Sequence, residues 1–268
     1  AHMVFDSSHM GIIGFVDIFK KIKTLRKAAK TIKKFIVENK PDTVIAIDYP
    51  GFNLRMARFA KKHHCKVIFY ISPQIWAWRY KRIFTIKRCV DLMSVVFPFE
   101  IELYQEQNIP VAFEPHPLTK KVVITESKVD MLRKLSLENA NPIIGLMPGS
   151  RQSEINRLAP IMCQVVEHLA RIYPKIHFVL PTVNAITLPQ FSDICDKKIR
   201  ITTNDSYNYL SCCDTVIACS GTASLELTLL NIPHVIIYKT NPINYILAKL
   251  LIKTPYISLT NILAQQNI

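Results

Sequence analysis

Apolar and polar positions follow two rhythms along this chain. In residues 17–37, DIFKKIKTLRKAAKTIKKFIV, apolar side chains recur at Ile18, Ile22, Leu25, Ala29, Ile32 and Ile36. Steps of four and three close one stripe on an α-helix. The opposite face carries Lys20, Lys21, Lys23, Arg26, Lys27, Lys30, Lys33 and Lys34, with no acid among them. After Pro41 the rhythm changes to short apolar runs separated by helical segments. The runs are TVIAID (43–48), KVIFYIS (66–72), LMSVVF (92–97), IIGLM (143–147), IHFVLP (176–181), TVIACS (215–220) and HVIIYK (234–239). Continuous apolar strands alternating with helices predict parallel sheet buried on both faces. The stretch EPHPLTKKVVITES (114–127) breaks this rhythm with two prolines and a basic pair, and a domain boundary is expected there. The expected architecture is α/β, with two Rossmann-like domains, 4–117 and 118–268, facing a cleft. Ligands of such sheets sit at the carboxyl ends of the strands.

Composition narrows the chemistry. The 268 residues are 49% apolar, enough for two real cores. The opening Ala-His-Met reads as a cloning remnant. Seven cysteines (Cys65, Cys89, Cys163, Cys195, Cys212, Cys213, Cys219) form no CxxC spacing, which argues against a disulfide framework or a metal site. They are expected to be reduced, in a cytoplasmic protein. No run reaches the ~18 apolar residues that a membrane span needs. Basic residues exceed acidic ones by 34 to 20, a net charge of +14, which attracts phosphates of nucleic acid, anionic lipid or a phosphorylated substrate. No RRM, helix-turn-helix or zinc pattern accompanies that charge, so nucleic acid is not expected as a partner.

Four stretches carry candidate chemistry. Asp48 leaves the strand TVIAID at its carboxyl end, where an acid can serve as a general base if burial or a neighbour tunes it, or merely cap a helix. SPQIWAWRYKR (72–82) holds both tryptophans, Trp76 and Trp78, beside Arg79, Lys81 and Arg82. That mixture suits a phosphorylated sugar or lipid headgroup, although one tryptophan could be a core anchor. In GLMPGSRQSEI (145–155) a strand runs through Gly149 and Ser150 into a helix opening. Gly149 allows close backbone approach, Ser150 can cap the helix, and the helix N-terminus with the planar Arg151 fork can hold phosphate oxygens. CSGTASLE (219–226) repeats the logic with Ser220, Gly221 and Thr222, and Glu226 follows at a distance suited to ribose hydroxyls. Two such corners in one half of the chain suit a nucleoside diphosphate.

Taken together, IDYPGFN, SPQIWAWR, LMPGSRQSEI, LPTVNA, SGTASLE and YISLTNILA occur in the order found in lipid-A-disaccharide synthases, and the resemblance runs from about Met10 to Ala264. It implies an inverting, metal-free glycosyltransferase of GT-B architecture, needing no cofactor. Such an enzyme joins UDP-2,3-diacylglucosamine to 2,3-diacylglucosamine 1-phosphate, giving the lipid A disaccharide 1-phosphate and UDP. Asp48 matches the family's essential acid, read as the base on the acceptor's 6-hydroxyl, and Arg151 its essential arginine, read as the diphosphate holder. Asn184, Ser220, Gly221 and Thr222 would line the UDP pocket, Glu226 would suit the ribose, and Asn261 matches another pocket position. Trp76, Trp78 and Arg79 are assigned to the lipid acceptor. The resemblance also implies peripheral attachment to the anionic inner face of the inner membrane, by the basic helix and with INYILAKLLI (243–252) as a second lipid contact or a helix packed in the second domain. Homodimers that exchange C-terminal parts occur in the family.

The chain departs from the family in places. Glycines occur only at 11, 14, 51, 145, 149 and 221, so the family's GExSGD loop is absent and the first domain is expected to be incomplete at its start. The end is expected to fall before the family's C-terminal helices. Gly51 stands where many members carry a second Asp, and Pro115 and Lys120 lie near the usual GHPLxD glycine and acid. The alternatives are a fragment that binds UDP or membrane without catalysis, and another GT-B UDP-sugar enzyme, either a 2-epimerase or a glycan transferase.

Overall fold

The structure, a computed structural model, describes residues 3, 5, 15–182, 198–203, 205–242, 245, 246, 249, 256, 258–264 and 266. Asn184, Cys195 and most of INYILAKLLI lie outside them. The chain divides into two compact units, Ala1–His116 with Pro242–Lys253, and Pro117–Asn241 with Thr254–Ile268.

In the first unit, α1 (Phe15–Asn39) leads into β1 (Thr43–Ile47), α2 (Pro50–Lys62), β2 (Lys66–Tyr70), a 3₁₀ turn (Tyr80–Arg82) and α3 (Ile83–Cys89). Then come β3 (Leu92–Val95), α4 (Glu100–Gln105) and β4 (Val111–Phe113). The strands are parallel in the order β1-β2-β3-β4. Alternate residues Ala46, Val67, Phe69, Met93 and Val95 are buried on one face, against Ile36 of α1, Leu54, Ala57 and Ala60 of α2, and Ile83 and Ile86 of α3. The helical stripe read from the sequence thus reaches the core through Ile32 and Ile36. On the other face Ile45 and Ile47 are exposed, 61% and 58%. That departs from the expectation of a sheet covered on both sides.

The second unit begins with α5 (Leu118–Lys121), α6 (Lys128–Leu135) and β5 (Ile143–Met147), followed by α7 (Gln152–Ile172), β6 (His177–Thr182) and β7 (Ile199–Thr203). It continues through α8 (Ser206–Leu210), β8 (Thr215–Cys219), α9 (Thr222–Leu229), β9 (His234–Ile237) and α10 (Leu259–Ala264). The strand order is β7-β6-β5-β8-β9, all parallel. Here both faces are covered. Ile144, Leu146, Phe178 and Leu180 pack on α7 through Ile155, Ala159 and Met162. On the other face Ile143, Val179, Val216 and Ala218 pack with Leu210 of α8 and Leu227 of α9.

The chain fills one side of this sheet from β5 to β7, then returns to β5's other side with β8. The reversal lies between β5 and β8, the place where open α/β sheets bind ligands. The six described cysteines are buried, and none of them forms a disulfide with another described residue. Among the described residues no helix is long and apolar enough to cross a membrane.

Candidate functional site

At the reversal of the second sheet, the register pairs Met147 with Ala218, so the chain leaves β5 and β8 side by side. β5 passes through Pro148 and Gly149 into α7, and β8 passes through Ser220 and Gly221 into α9. Gly149 has φ 116°, and a Cβ there would lie 2.6 Å from Glu154 Oε2. Both the torsion and the space therefore demand glycine. Gly221 has φ 144° and open space around it, so there the torsion alone demands it.

The first corner differs in detail from expectation. Ser150 does not cap α7. The capping position is Arg151, in extended conformation (φ −115°, ψ 139°), and no side chain caps the helix. Its backbone carbonyl instead accepts from the N–H groups of Glu154 and Ile155, both at 3.0 Å. The Arg151 guanidinium donates to Glu154 Oε1 at 3.0 Å. It is the more exposed partner, at 56% against 14% for Glu154. Cys219 lies close enough to feel both charges; burial chiefly, then Glu154, push its thiol up to about 11, against the pull of Arg151. The two corners thus share one electrostatic environment. Gly221 occupies the capping position of α9, again with no side-chain cap. Two helix N-termini with uncapped N–H groups meet here, each favouring an anion by ~0.3–1 kcal/mol.

Glu226, one turn into α9, is half-buried and accepts a hydrogen bond from the Tyr207 hydroxyl of α8 at 2.8 Å. Burial, then this bond and the Glu226 charge, raise the Tyr207 pKa well above the phenolic range. Asn261 lies on α10, which is tied to α9 by Thr260: its hydroxyl lies 2.9 Å from Thr228 Oγ1 and donates to Ser224 O at 3.2 Å. Gly149, Ser150, Arg151, Ser220, Gly221 and Thr222 therefore gather at one sheet edge, with Glu226 and Asn261 on the helices behind.

In the first unit, Asp48 follows β1 at the carboxyl edge, its N–H bonded to Tyr70 O at 2.9 Å. Asp48 and Tyr49 both have left-handed torsions, φ 46° and 45°. Such torsions cost of order 1–3 kcal/mol each in residues other than glycine and persist where surroundings enforce them. Here Asn53 Nδ2 bonds the carbonyls of Ile47 and Asp48, each at 2.8 Å. Asp48 is exposed, and among the described residues its carboxylate has no hydrogen-bond or ion-pair partner. The expected burial or close neighbour at Asp48 is thus not found among the described residues. A Cβ at Gly51 would meet nothing within 4 Å, so space does not require glycine there.

The loop after β2 lies at the same edge, Ile71 N–H bonding Ser94 O of β3 at 3.1 Å. Its anchor is a residue that sequence reasoning missed. Glu100, at the start of α4, is 1% exposed and accepts from Ser72 Oγ at 2.5 Å, Trp76 Nε1 at 3.1 Å and Phe97 N at 3.4 Å. Burial pushes its carboxyl above the usual range, while these donors pull the other way. Trp76 is also edge-on to Phe99, with ring centroids 5.3 Å apart. It is the anchoring tryptophan; Trp78 instead carries Arg79 and Arg82, whose guanidinium carbons lie 4.5 and 5.0 Å from its ring centre. The signal for Glu100 was a lone acid in the aromatic segment FPFE; nothing marked Tyr207 or Asn53.

The model of the lipid-A-disaccharide synthetase family matches residues 1–268. The chain is 39% identical to the lipid-A-disaccharide synthase of Geobacter sulfurreducens over 266 residues, 98% of this chain and 69% of that protein. For the Coxiella burnetii (strain Dugway 5J108-111) lipid-A-disaccharide synthase the identity is 39% over 261 residues, 97% of this chain and 69% of that one. Legionella pneumophila lipid-A-disaccharide synthase 1 is 40% identical over 269 residues, 99% and 70% respectively. Among solved structures, the S. aureus MnaA–UDP co-structure superposes with a TM-score of 0.60 at 13% identity, over 90% of this chain and 69% of that one. The Neisseria meningitidis UDP-GlcNAc 2-epimerase bound to UDP-GlcNAc gives 0.55 at 15% identity, over 90% and 72%. At such identities the likeness is one of fold: Rossmann-like parallel sheets of GT-B type.

Proposed function

The chain belongs to the lipid-A-disaccharide synthetase family of glycosyltransferases, and from that premise we propose that it transfers 2,3-diacylglucosamine from UDP to the 6-hydroxyl of 2,3-diacylglucosamine 1-phosphate. The acceptor oxygen attacks the anomeric carbon of the donor, the bond from that carbon to UDP breaks, and the configuration inverts. Asp48 takes the hydroxyl proton; a positioned base contributes roughly 10²–10⁴ in rate. UDP departs with a developing negative charge, and Arg151 with the two helix N-termini stabilises it. Donors placed where charge develops are worth about 3–4 kcal/mol each. Glu226 receives the ribose hydroxyls, and Ser220, Thr222 and Asn261 complete the donor side.

The observation that carries this reading is the adjacency of the two glycine corners at the strand-order reversal. The relatives named above carry the activity in their names, and the structural neighbours named for UDP or UDP-GlcNAc share the fold. The test is a calorimetric titration of UDP into this chain and into Arg151→Ala. Micromolar-range binding by the parent, weakened roughly 10–100-fold in the variant, is expected from loss of a charged hydrogen bond. A folded parent that fails to bind UDP would overturn the reading.

The same proposal includes attachment to an anionic membrane surface. Lys23, Arg26, Lys27 and Lys30 are exposed on α1, and among the described residues none has an acidic partner. A groove of about 280 Å³ nearby on this unit is lined by Arg58, Lys61, Lys62 and Arg88, with Thr85 and Cys89. Co-sedimentation with phosphatidylglycerol vesicles that disappears at high salt is expected. Equal binding to neutral vesicles would refute it.

A further inference from the structure

The loop after β2 places two guanidiniums on one indole with no acidic partner among the described residues. Arg79 and Arg82 stand 4.5 and 5.0 Å from the Trp78 ring centre. Among the described residues, neither side chain has a hydrogen-bond or ion-pair partner; the ion pairs engage Lys34, Lys61, Lys128, Arg133, Lys134 and Arg151 instead. The pair also repels itself. Burial first, and then the Arg79 charge, pull the Arg82 guanidinium below its ordinary value.

Backbone geometry holds this arrangement in place. Arg79 is left-handed, φ 56° and ψ 43°, which an unconstrained arginine would relax. The Arg82 N–H bonds Arg79 O at 2.9 Å, closing the turn that brings both side chains to the ring. Beneath it the loop is fastened to α4: Ser72 and Trp76 to Glu100, and Tyr104 Oη to Pro73 O at 3.5 Å. Two cation–π contacts favour the stacking but leave both charges without a counter-ion among the described residues. What this arrangement lacks is a compact anion of two charges with several oxygens. A phosphomonoester carries about −1.5 to −2 at neutral pH and three acceptor oxygens, and planar arginine forks match it in geometry.

We propose that Trp78, Arg79 and Arg82 form a phosphomonoester-binding site on the first unit that holds the anomeric phosphate of the acceptor sugar. The identity of the sugar rests on the function proposed above; the phosphate site rests on the Trp78 cluster alone. It lies on the same sheet edge as Asp48, whose N–H is bonded to the last residue of β2. Phospholipid headgroups also carry phosphate, but as monoanionic diesters, and they are the competing source.

The test follows tryptophan fluorescence of the full chain, with Trp76→Phe to assign the signal to Trp78. Glucosamine 1-phosphate should give a saturable change, inorganic phosphate a weaker one, and glucosamine none. Arg79→Ala with Arg82→Ala should weaken glucosamine 1-phosphate binding at least 10-fold and leave UDP affinity within twofold. The paired Lys variants keep the charge and lose the fork; they should weaken binding only several-fold and guard against a folding failure in the Ala pair. An unchanged response in the Ala variants, or in the Lys variants should the Ala pair not fold, overturns the site. So does a response to phosphatidylglycerol vesicles with none to glucosamine 1-phosphate. UDP binding without glucosamine 1-phosphate binding would sink this inference and spare the proposed function. Glucosamine 1-phosphate binding without UDP binding would do the reverse.

Discussion

In the second unit Arg151 is paired with Glu154 and Glu226 receives the Tyr207 hydroxyl, whereas in the first unit Asp48, Arg79 and Arg82 have no polar side-chain partner among the described residues. The difference follows from where each group sits. The second unit's groups project from helix starts and helix bodies, where side chains three residues apart or on a neighbouring helix come within reach. The first unit's groups project from loops and turns beyond the strand ends, where no oppositely charged side chain among the described residues comes within reach. A paired group is pre-positioned and must exchange its partner for a ligand; with Arg151 56% exposed, that pair is worth only ~0–1 kcal/mol. An unpaired group stands to gain most when a ligand arrives. Under the proposed function, the donor side is organised by the protein and the acceptor side is completed by its ligand.

The largest effect that can break this contrast comes from Asp48. Asp48→Asn keeps the shape and the Asn53 bonds to the backbone but removes the proposed proton acceptor. Turnover should fall roughly 10²–10⁴-fold, with UDP affinity unchanged. Steady-state kinetics alongside UDP calorimetry decide it. An equal loss of UDP affinity would mean that Asp48 serves the donor, and the division of labour between units would be wrong.

How much of this was legible in the sequence depends on how far each contact reaches along the chain. Seven apolar runs marked β1, β2, β3, β5, β6, β8 and β9. The two strands missed, β4 and β7, are both sheet edges. Val111–Phe113 is three residues long, with Pro110 before it and Pro115 soon after, and Ile199–Thr203 contains an arginine and two threonines. Edge strands are kept short and polar, which removes the pattern that betrays a strand. The glycine corners were readable because strand, glycine, hydroxyl and helix are contiguous. Ser150 was misassigned as the cap because the left-handed Gly149 delays the helix by one residue and gives that place to Arg151. Glu100 and Tyr207 were invisible for a different reason: their side-chain partners lie 24–28 and 19 residues away, and only the fold brings them together.

A smaller effect sharpens the donor half. Tyr207→Phe removes one hydroxyl and frees Glu226, costing ~0.5–1.5 kcal/mol of positioning, a 2–10-fold loss of UDP affinity. If Glu226 binds ribose, the parent should prefer UDP over 2′-deoxy-UDP, and the variant should prefer it less. Calorimetry with both nucleotides reads this directly. An undiminished preference would show that Tyr207 does not position Glu226.

The smallest effect tests an exception to the contrast, an ion pair that the first unit does hold. Asp91 accepts from Lys61 and from Val67 N at 2.8 Å, while its own N–H bonds Val67 O at 2.8 Å. Burial opposes its ionisation, but the bonds from Lys61 and Val67 outweigh that and hold the carboxyl below its usual range. A depressed carboxylate contributes stability above the unfolded value, about 3.9, and loses it as the pH falls through the lower folded value. Asp91→Asn should therefore cost about 1 kcal/mol near neutral pH and progressively less below pH ~4, read from urea midpoints at several pH values. Glu100 slopes the other way: its raised carboxyl contributes below the unfolded value and loses that contribution as the pH rises through the folded one. The parent's own pH profile mixes the two, so the parent-minus-variant difference is the quantity that isolates Asp91. A difference independent of pH would mean that the Lys61–Asp91 pair contributes nothing to the fold through its charge.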